Sequence, residues 1–402
     1  TPLDRRQHCV LRTRAAREAK EFKQTHAIRP RPWHGTGIGI MITNSFDGDA
    51  SSSGGGMGAL EIADRLLVMR QQEETAYRCS DYLVVASAGD GPSNPPVASA
   101  APQQEQAKPV DEECRVKMAE WCTQVVDFCK FRRETVGIGL NYLDRFLSTA
   151  VDIASAGGFD EDSSGSSDTG FDSGLKNRAL RALRDRKEYQ LAAMTSLYMA
   201  IKLNEPLEME TSLLSELSRG CYTDAEIARM ELDMLDALDW RVSGPTALSF
   251  VSHFLALMPP SVSANPMVPA TLLDFCRYQT ELATGDYHFV TKRSSTVAMA
   301  SLLNSMEAID NAYFDQIERS IFLQTLLEAS GVRPDAPEIS DARIRLMTSF
   351  RKSSGYELRH VASQLCLGAK GNTDASKMQD SEGSSVDSSP VCVSATKRSR
   401  YA

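Results

Sequence analysis

The residues able to do covalent or acid–base chemistry are present but not assembled. Six His are dispersed along 402 residues, and no nucleophile–base pairing can be read from the spacing. Nine Cys are scattered with no Cys-x-x-Cys pair, so neither a zinc site nor a disulfide framework is expected. Cys122 and Cys129, seven apart, read as small apolar residues two turns apart on one helix, in a reducing compartment. The glycine run from Gly35 to Gly39 has no following Lys-Ser/Thr, which a phosphate loop requires, and reads as a loop. No catalytic residue, no metal and no cofactor is therefore expected. Two misplaced charges remain. Lys202 lies near the end of the most apolar helical stretch, and Glu231 interrupts the apolar stripe of another. A charge on an apolar helix is costly unless it is paired or at an edge. Either each reaches solvent, or the two pair for up to ~1 kcal/mol, or they flank an apolar surface and make charge-assisted hydrogen bonds to a partner.

The elements that must position these charges are helical. Strand alternation is almost absent, so the expected fold is all-α, two helical modules in series. Five helices can be drawn in the first module, at about 112–131, about 134–149, about 186–204, a shorter one after Pro206, and one capped by Thr223 with Asp224 and Glu226 in its first turn. The third is apolar nearly all round and reads as the buried centre. The stripe of the fifth is Ile227, Met230, Met234, Leu235 and Leu238. An additional helix at about 59–77 would draw apolar contacts from Leu60, Ile62, Leu66, Leu67 and Val68.

Composition sets the rest. Hydrophobic residues at 42% and charged residues at 24% suit a globular chain with a sizeable core. The net charge of -9 counts against a dedicated nucleic-acid binder. It is uneven: residues 1–35 carry +6, so the remainder carries -15. No apolar run approaches the roughly 18–20 residues of a membrane span, and no signal-peptide pattern is present. Of the twenty residues 155–174, sixteen are Ser, Gly, Asp or Glu, too few apolar groups to hold order, so an insertion is expected at about 152–177. The expected division is a disordered basic and Gly/Ser-rich 1–58, a helix in 59–83, a linker 84–110, the first module 111–242, the second 243–353, and a Ser/Asp-rich tail 354–402. Ser389-Pro390 in that tail fits a proline-directed phosphorylation site, and Lys397-Arg398-Ser399-Arg400 fits a short nuclear signal.

The segments LNYLDRFLS (140–148), QLAAMTSLYMAIKLNE (190–205) and RMELDMLDALDWRV (229–242) resemble the cyclin box, the first of them most like the D-type. CRVKMAEW (114–121) resembles the first-helix motif of that family, ADRLLVMRQQEETAYRCSDYL (63–83) is similar to the helix preceding the box, and YHFVTKRSSTVAMASLLNSM (287–306) resembles its C-terminal fold. The resemblance implies two tandem five-helix domains in a non-enzymatic regulatory subunit. Such a subunit packs against a cyclin-dependent kinase and swings a kinase glutamate inward to its ATP-binding lysine. Driving a kinase from nearly all inactive to nearly all active needs about 5 kcal/mol of differential binding.

Carried over position by position, the kinase contacts implied are Lys202, Leu203, Glu231, Leu235 and Trp240, with Trp in place of the usual Phe and Asn204 in place of an acidic residue. A second surface implied, for Arg-x-Leu substrates or inhibitors, is Cys114, Lys117, Met118, Trp121 and Gln190, where Lys117 replaces an aliphatic residue and is expected to weaken docking. The alternative for Met118 and Trp121 is ordinary core. No Leu-x-Cys-x-Glu for retinoblastoma-like proteins is found. The resemblance implies a G1/S role in the nucleus. The competing reading is a transcription-associated protein with the same helical fold, against which the acidic balance and the missing zinc ribbon count.

Overall fold

The computed structural model describes residues 58–87, 109–155 and 178–353. The Gly35–Gly39 run, most of the linker and of the acidic insertion, Ser389 and the basic 397–400 stretch lie outside the described residues. Within them the chain is all-helical, with no strand. Two leading helices, α1 (Ala59–Glu74) and the short α2 (Leu83–Ser87), precede the first module. That module comprises α3 (Glu112–Cys129), α4 (Glu134–Ser155), α5 (178–184), α6 (Arg186–Asn204), α7 (Thr211–Leu217) and α8 (Asp224–Ala237). The second comprises α9 (Ala247–Ala256), α10 (Pro260–Ser263), α11 (Met267–Gly285), a 3-10 turn at Tyr287–Phe289, α12 (Ser294–Ala308), α13 (Gln316–Ser330) and α14 (Pro337–Lys352). None of the described helices is long and apolar enough to cross a membrane.

Helix α6 is the axis of the first module. Every residue from Tyr189 to Ile201 is buried, as the absence of a polar face requires, and α3, α4, α7 and α8 pack around it. Small residues allow this. A Cβ on Gly139 of α4 would stand 3.1 Å from the Leu197 Cα of α6, so only glycine permits the two backbones to approach this closely. Side chains close the helix starts: Asp111 accepts from the Cys114 N–H at the start of α3, and Thr223 and Glu226 form a reciprocal capping box at the start of α8. The stripe of α8 behaves as its spacing predicts, with Ile227, Met230, Met234 and Leu238 buried and Leu235 partly so.

Four expectations are corrected. The expected linker 84–110 opens inside a helix, α2, whose Ala86 is buried in the first core, and Val110 at the linker's other end is buried there too. The second helix runs on to Ser155, past the expected end near 149, with Ala150 buried and Val151 packed against the first core. Residues 178–184 form a helix that the sequence did not announce, its Ala179, Leu180, Ala182 and Leu183 buried in the first core. On α1, Leu60, Leu67 and Val68 are exposed, and the buried face is Ile62, Leu66 and Glu73, with Met69 partly covered. That face follows an i, i+4, i+7, i+11 row and docks on the second core, against α9 and α13. The Glu73 carboxylate accepts from the Ser295 backbone N–H (2.9 Å) and hydroxyl at the start of α12, and from Arg70 (3.1 Å). Burial pushes its pKa above the ordinary value.

The two modules and the leading segment meet on one buried ion pair. Arg115 of α3 grips Asp144 of α4 with two parallel bonds, Nε to Oδ1 at 3.0 Å and Nη2 to Oδ2 at 2.7 Å. Its remaining Nη1 donates to the Thr284 carbonyl of α11 at 2.8 Å, and the Tyr82 hydroxyl donates to Asp144 Oδ1 at 2.8 Å. Burial alone would push the Arg115 pKa down; Asp144 reverses this and leaves it above its ordinary value. Removing one member strands a buried charge, which typically costs ~3–5 kcal/mol. Arg115→Ala is accordingly expected to lower unfolding stability by about that amount in urea titrations, and Arg115→Met/Asp144→Leu to recover part of the loss. A cost below about 1 kcal/mol for the single substitution would contradict this account.

Candidate functional site

The two misfit charges come together at one end of the first module. Lys202 sits in the last turn of α6 and Glu231 in the middle of α8, and Lys202 Nζ donates to Glu231 Oε1 at 2.8 Å. Their side chains are 41% and 16% exposed, so solvent screens the pair and its worth stays within the ~0–1 kcal/mol of surface bridges. The lysine nitrogen also lies 5.6 Å from the centre of the Tyr198 ring.

Apolar groups surround the pair. Leu203, the next residue along α6, is 52% exposed, and Leu235 on α8 is partly buried against the first core. Leu232 is a further exposed position that sequence periodicity alone misses. It is 40% exposed, and it neighbours Leu235 and Asp236 on the surface of α8. Its signal was available: a leucine off the buried stripe and beside the odd glutamate. Asn204, where the resemblance implies an acid, turns its side-chain amide back onto the Ala200 carbonyl at 2.9 Å, while its own carbonyl accepts from Arg132. Glu205 is buried and accepts from the Arg132 backbone N–H and the Thr135 hydroxyl, tying the end of α6 to the start of α4.

Trp240 projects just past α8 and is 61% exposed, with its indole N–H donating to Asp236 at 3.1 Å. Asp239 and Trp240 both have left-handed backbones, φ 51° and 60°. For residues other than glycine, this costs roughly 1–2 kcal/mol each. The turn is held by the Trp240 N–H to Leu235 carbonyl bond (2.9 Å) and the Arg241 N–H to Leu238 carbonyl bond (3.0 Å).

The second group of sequence-derived positions is placed differently. Cys114, Met118, Trp121 and Gln190 are all buried, Trp121 at 7% exposure, and the first three belong to the core of the first module. Gln190 accepts from the Tyr222 hydroxyl at 3.2 Å. Only Lys117 stands at the surface, paired to Glu113 one turn earlier at 2.8 Å. Burial raises the thiol pKa of Cys114, and that of Cys122 to about 12, which keeps both as unreactive apolar fillers. Among the described residues no cluster of His, Cys, Asp or Glu could hold a metal ion.

This arrangement offers a partner exposed leucines on α6 and α8, one cation and one anion beside them, and an indole just past the end of α8. It fits recognition of a folded protein surface.

Comparison with known proteins finds similarity to cyclins. The family model described as Cyclin, N-terminal domain matches residues 176–243, which takes in α5 to α8 and the turn carrying Trp240. A G2/mitotic-specific cyclin-B of Hydra viridissima is 26% identical over 240 residues, covering 60% of this chain and 49% of the relative. A G1/S-specific cyclin-D1 of Rattus norvegicus is 23% identical over 193 residues, covering 48% and 53%. A putative cyclin-A3-1 of Arabidopsis thaliana is 24% identical over 195 residues, covering 48% and 45%. The chain thus spans about half the length of the curated relatives it matches. Among solved structures, a viral cyclin from herpesvirus saimiri aligns with a TM-score of 0.43 at 15% identity, covering 62% of this chain and 89% of that one.

The left-handed turn can be tested independently of any partner. Asp239→Gly removes the Cβ that disfavours φ 51° and is expected to stabilise the chain by about 0.5–1 kcal/mol, read as a rise in thermal midpoint. A drop in the midpoint would mean that the Asp239 side chain contributes more than its backbone conformation costs.

Proposed function

We propose that this chain is a cyclin-type regulatory subunit that binds and activates a cyclin-dependent serine/threonine kinase. The observation that carries the reading is the Lys202–Glu231 pair, 2.8 Å apart across α6 and α8 and bordered by the exposed Leu203, Leu232 and Trp240. The free subunit holds its two charged contacts in a mutual bond of low worth. A kinase surface offering a carbonyl to the lysine and an N–H to the glutamate can take over both, and burial of the flanking leucines and the indole supplies the affinity. An interface of roughly 2,000 Å² or more is the size class that shifts a kinase equilibrium by several kcal/mol.

The D-type, G1/S reading rests on LNYLDRFLS at 140–148; the relatives named as cyclin-B, cyclin-D1 and cyclin-A3-1 match at similar low identity and do not separate the classes. Nuclear action goes with that reading. Docking of Arg-x-Leu substrates is proposed to be weak, because Met118, Trp121 and Gln190 are buried and the surface position, Lys117, is a cation.

The full chain is expected to pull down a cyclin-dependent kinase and stimulate it. Lys202→Ala/Glu231→Ala is expected to weaken binding at least ~10-fold while leaving thermal stability within about 1 kcal/mol, since the pair is solvent-screened. Wild-type activation by that double variant would remove this face from the interface. An Arg-x-Leu peptide in excess is expected to change substrate phosphorylation little. Strong competition that is lost in Trp121→Ala would instead establish the second surface.

A further inference from the structure

The exposed indole of Trp240 sits on two consecutive left-handed residues, and such a turn persists only where its surroundings over-determine it. The hydrogen bonds back to α8 hold its near side. Its far side, residues 241–244, is held from elsewhere in the molecule. Arg145 of α4 donates through Nη1 to the Arg241 carbonyl at 2.7 Å, and the Tyr142 hydroxyl donates to the Val242 carbonyl. The Tyr77 ring, just beyond α1, lies directly on Gly244: a Cβ there would fall 2.3 Å from the ring's Cδ1 and 2.6 Å from Cε1. The guanidinium carbon of Arg145 stands 4.4 Å from the centre of that same ring. Arg145 is buried, and its cation is held by a carbonyl and an aromatic face; burial lowers its pKa from the ordinary value. One stack therefore runs from the leading segment (Tyr77) through the first module (Arg145) to the segment joining the modules (Arg241 to Gly244), immediately behind Trp240.

We infer that Tyr77 and Arg145 are positioning residues for Trp240: they clamp the 241–244 backbone and so fix the left-handed Asp239–Trp240 turn that presents the indole. The inference rests on the reading that Trp240 contacts the kinase. It adds that the leading segment, through Tyr77, governs how firmly the docking face is set. Gly244 is then required because any side chain would displace the ring.

The test uses the full chain and two readouts. Hydrogen exchange on the free chain follows the amides of Trp240, Arg241 and Val242, which donate to Leu235, Leu238 and Trp240 carbonyls respectively. Affinity is measured for the cyclin-dependent kinase recovered with the wild-type chain. Tyr77→Ala is expected to speed exchange of those three amides ~10-fold or more with the body of α8 unchanged, and to weaken kinase binding ~5-fold or more. Tyr77→Phe keeps the ring and is expected to match wild type in both. Gly244→Ala leaves Tyr77 in place and gives a second route: it is expected to reproduce the Tyr77→Ala effects alone, and to add little on the Tyr77→Ala background. A lower thermal midpoint with unchanged local exchange would make Tyr77 merely structural and overturn the inference. So would undiminished affinity in Tyr77→Ala when Trp240→Ala binds poorly. If Trp240→Ala itself binds as well as wild type, the kinase-contact reading falls and the docking half of the inference falls with it; the exchange data still decide whether Tyr77 holds the turn.

Discussion

The buried Arg115–Asp144 bond is the constraint on which the rest of the arrangement depends. Five donors fan out in a plane from a guanidinium, and here they face Asp144 in the first module and the Thr284 carbonyl in the second. Tyr82 completes the carboxylate from the leading segment, and its neighbour Leu83 donates its N–H to the Tyr287 hydroxyl of the second module. Such a group cannot be half satisfied in the interior, because an unpaired buried charge costs more than the pair contributes. The relative placement of the leading segment and the two modules is therefore fixed around one polar centre, whereas the two apolar cores on either side would tolerate many placements.

The helices were legible where burial is one-sided or complete. The all-round apolar character of α6 predicted its central position, and Thr223 with Glu226 predicted the start of α8. Where local polarity and tertiary burial disagreed, the sequence misled. The segment 178–184 alternates arginines with alanine and leucine directly after the acidic insertion, yet its alanines and leucines fill the first core. Of the five residues expected to make apolar contacts on α1, packing buries two fully, because a helix docked on a neighbouring core buries one row only.

The candidate site divides in the same way. Lys202 and Glu231 could be found as charges out of place on apolar helices; periodicity could not show that they meet, since they lie 29 residues apart on different helices. Arg115 and Asp144 are also 29 apart and also on different helices, but nothing in their local spacing marked one as the other's partner. The contact of Tyr77 with Gly244 joins distant parts of the chain, and the left-handed turn before it carries neither Gly nor Asn at 239 and 240 to announce itself. Resemblance supplied Trp240 as a position; only the structure shows the backbone that presents it.

These two ion pairs, alike in chemistry, are opposite in what they permit. Arg115–Asp144 is buried and shares its lone pairs and protons with Tyr82 and Thr284, so no partner can exchange with it without unfolding its surroundings. Lys202–Glu231 is open to water on the lysine side and contributes little to stability, so surrendering it to a partner costs little. A docking face benefits from that asymmetry. Its polar contacts should be cheap to release, while its apolar anchors should already be in place, since every rotamer or turn ordered only on binding subtracts from affinity. The left-handed turn under Trp240 meets the second requirement at an energetic cost borne by the fold, and the weak pair meets the first. On the proposed reading, stability and recognition therefore fall to different ion pairs, and exposure separates the one that holds the fold from the one a partner could take over.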